Sequence, residues 1–262
     1  MCVGRRFDTV IGVNANVGTI QWARRNWGAL TPGDRVRFVL QALKFQASMV
    51  ASMLHRNSIR ADISSILPPP SDAARKAAEL CAQVSPPVLF NHCARCYVWA
   101  RLFAQAAALK FDDELLFASC MLHDLGLTPQ YADCARHAEC FTLDSVEGAA
   151  AYAKAAGWDA ARRDALSEAI LLHMNVVVSA IEGVEAHLLH EAAALDCLGL
   201  RAWEIARTTR AEVVARYPRE GAKSWLQQAF REEARRRPRG RAAFLERYLL
   251  FQRMIRWSPF DE

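Results

Sequence analysis

A histidine and an aspartate stand side by side at the end of an apolar run, His123-Asp124 after Leu115-Leu116-Phe117-Ala118-Ser119-Cys120-Met121-Leu122. An ionised carboxylate buried without a partner is costly. The pair therefore needs a counter-charge, and a divalent cation would supply one. Imidazole and carboxylate together suit zinc, iron or manganese. Adjacent side chains on a helix diverge by about 100°, so such a cation would lie between the two directions. Taken alone, the dipeptide reads equally as a pair solvated at a helix end.

Other polar side chains interrupt apolar helical stretches in the same manner. His92 precedes Tyr97-Val98-Trp99, His173 ends Ala169-Ile170-Leu171-Leu172, and Asp196 breaks Ala192-Ala193-Ala194-Leu195-Asp196-Cys197-Leu198. Singly, each has a plain explanation: a hydrogen-bonded core histidine, or a carboxylate paired with an arginine. Together, the ordered His … His-Asp … Asp on successive helices is far more specific. His92, His173 and Asp196 could each share a metal with His123 and Asp124. A divalent metal held by three or four protein ligands lowers the pKa of a bound water towards about 7. His173 is the expected proton shuttle, because imidazole titrates near neutrality. Glu147 is a candidate for orienting a ligand imidazole, or a carboxylate favoured by a helix N-terminus. Arg95 lies three residues after His92 on the same helix face. It suits a phosphate, or pairs with a carboxylate such as Asp196.

The elements that must carry these residues read as helices. Alanine and leucine are abundant and β-branched runs are scarce, which favours helix over sheet. The spacing predicts helices over about 34–56, from Ser71-Asp72 to about Val84, over 88–109 and over 112–125. Gly126 is expected at the C′ position of the last. Residues 126–143, with Asp133, Arg136 and His137, read as a long loop of the kind that forms lids. Further helices are expected from Leu143 to near Gly157, from Asp159 to His173, and over 185–196. Two or three more fill 201–256, broken at Tyr217-Pro218 and Pro238-Arg239-Gly240. Residues 1–30 show little periodicity.

The 262 residues suffice for a sizeable core, and 52% are hydrophobic, which excludes a disordered chain. The net charge of +5 is uneven. Residues 201–262 hold fifteen Lys or Arg against eight Asp or Glu, whereas the remainder is slightly acidic. That basic segment reads as a solvated helix face rather than a nucleic-acid site. Eight cysteines show no secreted disulfide spacing, and Cys93-x-x-Cys96 has no second pair to complete a zinc ribbon. A reducing, cytoplasmic setting is expected. No apolar run reaches transmembrane length. Arg5-Arg6 precedes an apolar stretch that Asn14 and Asn16 interrupt, so no export signal is expected.

These motifs together resemble the HD-domain superfamily, named for the same His … His-Asp … Asp order. The likeness spans roughly 88–200 and implies that His92, His123, Asp124 and Asp196 are the metal ligands. It rests on Asn91-His92-x-x-Arg95, Leu122-His123-Asp124-Leu125-Gly126, Val146-Glu147-Gly148-Ala149 and Leu195-Asp196-x-x-Gly199. Within the superfamily the cyanamide hydratase-like branch is the nearest likeness. Tyr217-Pro218-Arg219 and the closing Pro259-Phe260 are similar to that branch's C-terminal helices.

The resemblance implies an all-α fold with N- and C-terminal helical extensions and a divalent metal in a helical pocket. The expected division is 1–70 as an extension packing on the core, 71–200 as the metal-binding core, and 201–262 as basic helices of the same globule. Most superfamily activities are phosphohydrolase reactions, and the nearest branch adds water to a nitrile carbon. Relatives with two irons need additional histidines. His173, and less convincingly His187 or His190, do not complete such a set, so one metal is expected, zinc before iron or manganese. The expectation is therefore a metal-dependent hydrolase or hydratase acting on a small carbon–nitrogen substrate. The alternatives are a phosphohydrolase acting on a nucleotide or small phosphate ester, and a non-catalytic binding protein. A small-molecule partner is expected, with no nucleic acid and no membrane, and a homo-oligomer is left open.

Overall fold

The structure, a computed structural model, describes residues 16–53 and 58–260, with side chains described for all of these except 47–53. Arg5, Arg6 and the stretch behind them, and residues 54–56 at the end of the first expected helix, lie outside the described residues. Twelve α-helices and no strand occur among the described residues, consistent with the all-α fold that the resemblance implies. In chain order they are α1 (Ile20–Asn26), α2 (Pro32–Met53), α3 (Asp72–Val84), α4 (Pro87–Ala106), α5 (Asp113–Leu122) and α6 (Phe141–Ala155). The second half contains α7 (Ala160–Leu172), α8 (Val184–Leu198), α9 (Arg207–Arg216), α10 (Ala222–Arg236), α11 (Arg241–Tyr248) and α12 (Phe251–Trp257).

Local chemistry sets the helix ends. Ser71 accepts from the Ala74 amide, Asp112 from Leu115 and Asp159 from Arg162, each through a side-chain oxygen at a helix N-terminus. Pro87 occupies the first turn of α4, where its missing N–H costs nothing. Gly199 closes α8 at φ 72°, the left-handed conformation that a Cβ disfavours. The seven-residue α1, capped by Thr19, was not anticipated, since two turns are too short to show periodicity.

The core is centred on α4, which is buried almost all round: Cys93, Cys96, Trp99, Ala100 and Leu102 are all enclosed. It packs chiefly against α8 and α5, while α7 packs against both α5 and α8. Of the helices that carry the candidate ligands and His173, α5 and α8 thus each touch the other three. A second apolar cluster joins α1 and α2 to α10, α11 and α12. Phe260 reaches back to the first cluster against Trp99.

Two expectations change at the chain following α5. Gly126 is not a left-handed C′ residue. It sits in a short 3-10 turn, Leu125–Leu127, where a Cβ would lie 2.1 Å from the Phe141 carbonyl oxygen. Its amide donates to Ser145 Oγ. Nor is 126–143 a lid. Asp144 accepts from the amides of Ala135 and Asp133, and Arg237 binds the Asp144 carboxylate. Asp133 pairs with Arg236 and Arg237, and His137 packs edge-on against Trp27. A buried carboxylate–arginine set fixes this segment to α10.

Gly126→Ala should therefore cost about 2 kcal/mol or more, the scale of an overpacked core. The thermal midpoint would fall by several degrees, read by circular dichroism. An unchanged midpoint would contradict the close approach.

Candidate metal centre

Two helices deliver their site residues by the same local device. His123 follows the last residue of α5 and His173 the last residue of α7, both with right-handed helical backbone. A helix leaves its final carbonyls without amide partners. His123 Nδ1 donates to the Cys120 carbonyl at 2.8 Å, and His173 Nδ1 donates to that of Ile170 at 2.6 Å. Each ring thus caps its own helix three residues back. A carbonyl only accepts, so Nδ1 carries the proton in both rings and Nε2 is left with a lone pair.

His92 reaches the same tautomer by another route. Its Nδ1 lies 2.8 Å from Asp196 Oδ2, an ionised acceptor. All three Nε2 atoms then face the Asp124 carboxylate: His123 at 3.3 Å, His92 at 3.6 Å and His173 at 3.6 Å. The rings of His123 and His92 are 5.3 Å apart, and those of His123 and His173 4.8 Å. The donor atoms of His123, Asp124 and His173 lie within 4.8 Å of one another, and so do those of His92, Cys96 and His123. These separations exceed the roughly 2.7–2.9 Å of charge-assisted hydrogen bonds. Lone pairs facing a buried carboxylate repel unless a cation lies between them. The donor set therefore fits a divalent metal, with the Nδ1 acceptors orienting the rings.

The local field agrees. Burial opposes ionisation of Asp124, yet the imidazoles of His123, His173 and His92 hold its carboxyl well below the usual range. Burial also disfavours a proton on His123, but the Asp124 carboxylate outweighs it and raises the pKa. The field that draws a proton to this point draws a metal cation too. Burial and the neighbouring His123 push His173 well down, so it is a neutral ring.

Asp196, expected beside these ligands, is turned towards a different set of partners. Both its oxygens accept from Arg95, at 2.8 and 2.9 Å, and Oδ1 also accepts from Trp99 Nε1 at 2.9 Å. Arg219 lies 3.4 Å from Oδ1 and donates to the Asp196 carbonyl. Burial works against the charge, but Arg95, Arg219 and His92 more than offset it and hold the carboxyl far below its ordinary pKa. Arg95 has no face left for substrate, because its remaining nitrogen donates to the carbonyls of Tyr217 and Pro218. Glu147 is half-buried on α6, does not line the cavity at the site, and takes none of the three Nδ1 protons.

Three neighbours were not singled out from the sequence. Cys96 Sγ is 3.6 Å and Cys197 Sγ 3.9 Å from His92 Nε2. Burial and then the Asp196 charge push both thiols well above their usual pKa, so they stay protonated. Cys96 lies four residues after His92, one turn along the same face, a spacing that could have flagged it. Trp99, seven residues after His92, carried the same signal. His190, rated among the less convincing histidines, lines the cavity and donates Nδ1 to the His173 carbonyl.

Residues 89–216 match the HD domain family. The comparison with curated proteins found no match. The HD domain implies a metal-dependent hydrolase-like superfamily whose members bind divalent metals, and the described residues include His/Asp clusters able to hold one. Among the described residues no helix is long and apolar enough to cross a membrane.

Arg95→Met should cost about 3–5 kcal/mol in urea unfolding, because it strips a buried carboxylate of its two-point partner. In metal-free protein the depressed carboxyls stabilise the fold fully above the ordinary carboxyl pKa of about 3.9. That contribution falls away as pH drops through their lower folded values. Asp196→Asn should therefore be less stable at pH 7 and lose less between pH 5 and pH 2. Parallel acid profiles for the variant and the parent protein would contradict the buried pairing.

Proposed function

With an HD domain over residues 89–216 as the premise, we propose that this chain is a metal-dependent hydrolase or hydratase that adds water to a small, uncharged carbon–nitrogen substrate. One observation carries the reading. Three imidazoles with their protons pinned at Nδ1 direct Nε2 at a buried carboxylate. His123, Asp124 and His173 would hold the ion, with His92 as the fourth donor. Asp196, first assigned as a ligand, positions the His92 ring instead. His173, first assigned as the shuttle, becomes a ligand. A bound divalent ion would lower the pKa of a water and polarise the group under attack.

The chain's own residues do the rest. Asp196, held by Arg95 and Trp99, keeps the His92 proton on Nδ1. The Cys120 and Ile170 carbonyls do the same for the other two rings. Proton transfer falls to His190, which lines the cavity; its Nδ1 is spent on the His173 carbonyl, which leaves Nε2, 3.9 Å from a Glu191 carboxylate oxygen, to take the proton. Burial holds the His190 pKa below its usual value, so the ring is free to accept a proton at neutral pH.

The phosphohydrolase alternative draws less support. A phosphate ester calls for several cationic groups beside the metal, and no Lys or Arg lines the cavity among the described residues. Arg95, its expected anion-binding group, is committed to Asp196. Zinc remains the first choice of metal, iron or manganese being compatible with the same donors. A small-molecule partner completes the reading.

Elemental analysis of the purified protein, expressed with metals supplied, should find close to one equivalent of a divalent transition metal. Asp124→Ala and His123→Ala should retain less than a tenth of that and lose nitrile hydration. A metal-loaded protein that cleaves nucleotide phosphates but hydrates no nitrile would overturn the assignment, and a metal-free parent protein would favour a binding role.

A further inference from the structure

The cavity in front of the donors has a volume of about 170 Å³ and is walled almost wholly by apolar side chains. One wall is a stripe of α8, on which Ala193, Ala194, Cys197 and Leu198 follow His190 at helical spacing. The opposite wall includes Phe230 of α10, Leu245 of α11, and Phe251 and Met254 of α12. Ala42 and Phe45 of α2 complete it. Besides the histidines and Asp124, the polar side chains on the wall are Asn175 and Gln46, the latter exposed to solvent on α2. Asn175 is already spent, donating to the Val17 carbonyl and accepting from Arg241. Asp124 is the lining residue with a formal charge among those described.

From this shape and chemistry we infer that the substrate carries an uncharged hydrocarbon body, aromatic or branched aliphatic and about the size of a benzene ring, bearing one polar reacting group. An apolar cavity of about 150 Å³ is enough to hold benzene. Burying such a body against apolar walls is favourable, at roughly 25 cal/mol per Å² removed from water. Cyanamide and similar very small polar molecules would leave most of the room without contact. A phosphate-like anion would find no lysine or arginine on the described wall to share its charge with the ion at the donors. Ala193 and Ala194 set the size limit, since any larger side chain on that stripe takes up the space of the body. The position of the reacting group rests on the metal reading above; the preference for an apolar body does not.

Metal-loaded protein would be titrated calorimetrically with three probes: benzonitrile, cyanamide, and phenyl phosphate as the anion on the same ring. Benzonitrile should bind at least tenfold more tightly than cyanamide, with phenyl phosphate weakest. Ala194→Leu should raise the benzonitrile Kd at least tenfold without changing metal content. Met254→Trp, on a half-exposed position of the opposite wall, should act in the same direction and covers the case in which Ala194→Leu does not fold. Cyanamide or phenyl phosphate binding as tightly as benzonitrile would overturn the inference, and so would a folded variant with parental affinity. Metal content of the same samples separates the two readings. The wrong ranking in loaded protein refutes the substrate class alone. Tight benzonitrile binding by a protein that takes up no metal refutes the catalytic reading and leaves the cavity's preference standing.

Discussion

A single buried carboxylate, Asp196, constrains most of what surrounds the site. A charge at that depth persists only if its partners hold it from several sides. His92, Arg95 and Trp99 approach it from α4, and Arg219 from the segment between α9 and α10. The three partners on α4 lie at positions i, i+3 and i+7, one stripe of one helix. Satisfying all of them at once fixes the rotation of α4 against α8. The His92 ring then has one orientation available, with Nε2 towards Asp124.

The other two imidazoles owe their orientation to helix geometry. A helix that ends at a histidine has carbonyls to satisfy and a ring able to satisfy one. The result is a pre-set tautomer with no further residue required. It explains how His123 and His173, fifty positions apart on two helices, present the same atom to the same carboxylate. It also explains why Glu147 is not needed as an orienting partner, since a backbone carbonyl performs that task twice.

Much of this was legible in the amino-acid order. Polar residues interrupting apolar helical runs marked His92, His123, Asp124 and His173, and the fold brings these four together. Composition and spacing favoured helix over sheet, and the resemblance implied the all-α architecture. What could not be read was direction. Residue type identifies Asp196 as a potential ligand, but whether its oxygens meet a metal or an arginine depends on how α4 rotates against α8. Gly126 was misplaced because a glycine after a helix is ordinarily a left-handed cap. Here the demand comes from the Phe141 carbonyl, fifteen residues later. The segment 126–143 looked like a lid because its tethers, Arg236 and Arg237, lie a hundred residues away in the chain.

The walls of the cavity have a consequence for how such a protein can change. Every donor atom lies within 89–216, whereas α2, α10, α11 and α12 supply much of the surface facing them. Coordination and guest shape are therefore written in separate stretches of the chain. Substitutions in the outer helices can remodel the room while the inorganic chemistry stays intact, so close cousins could share one reaction and differ in what they admit to it.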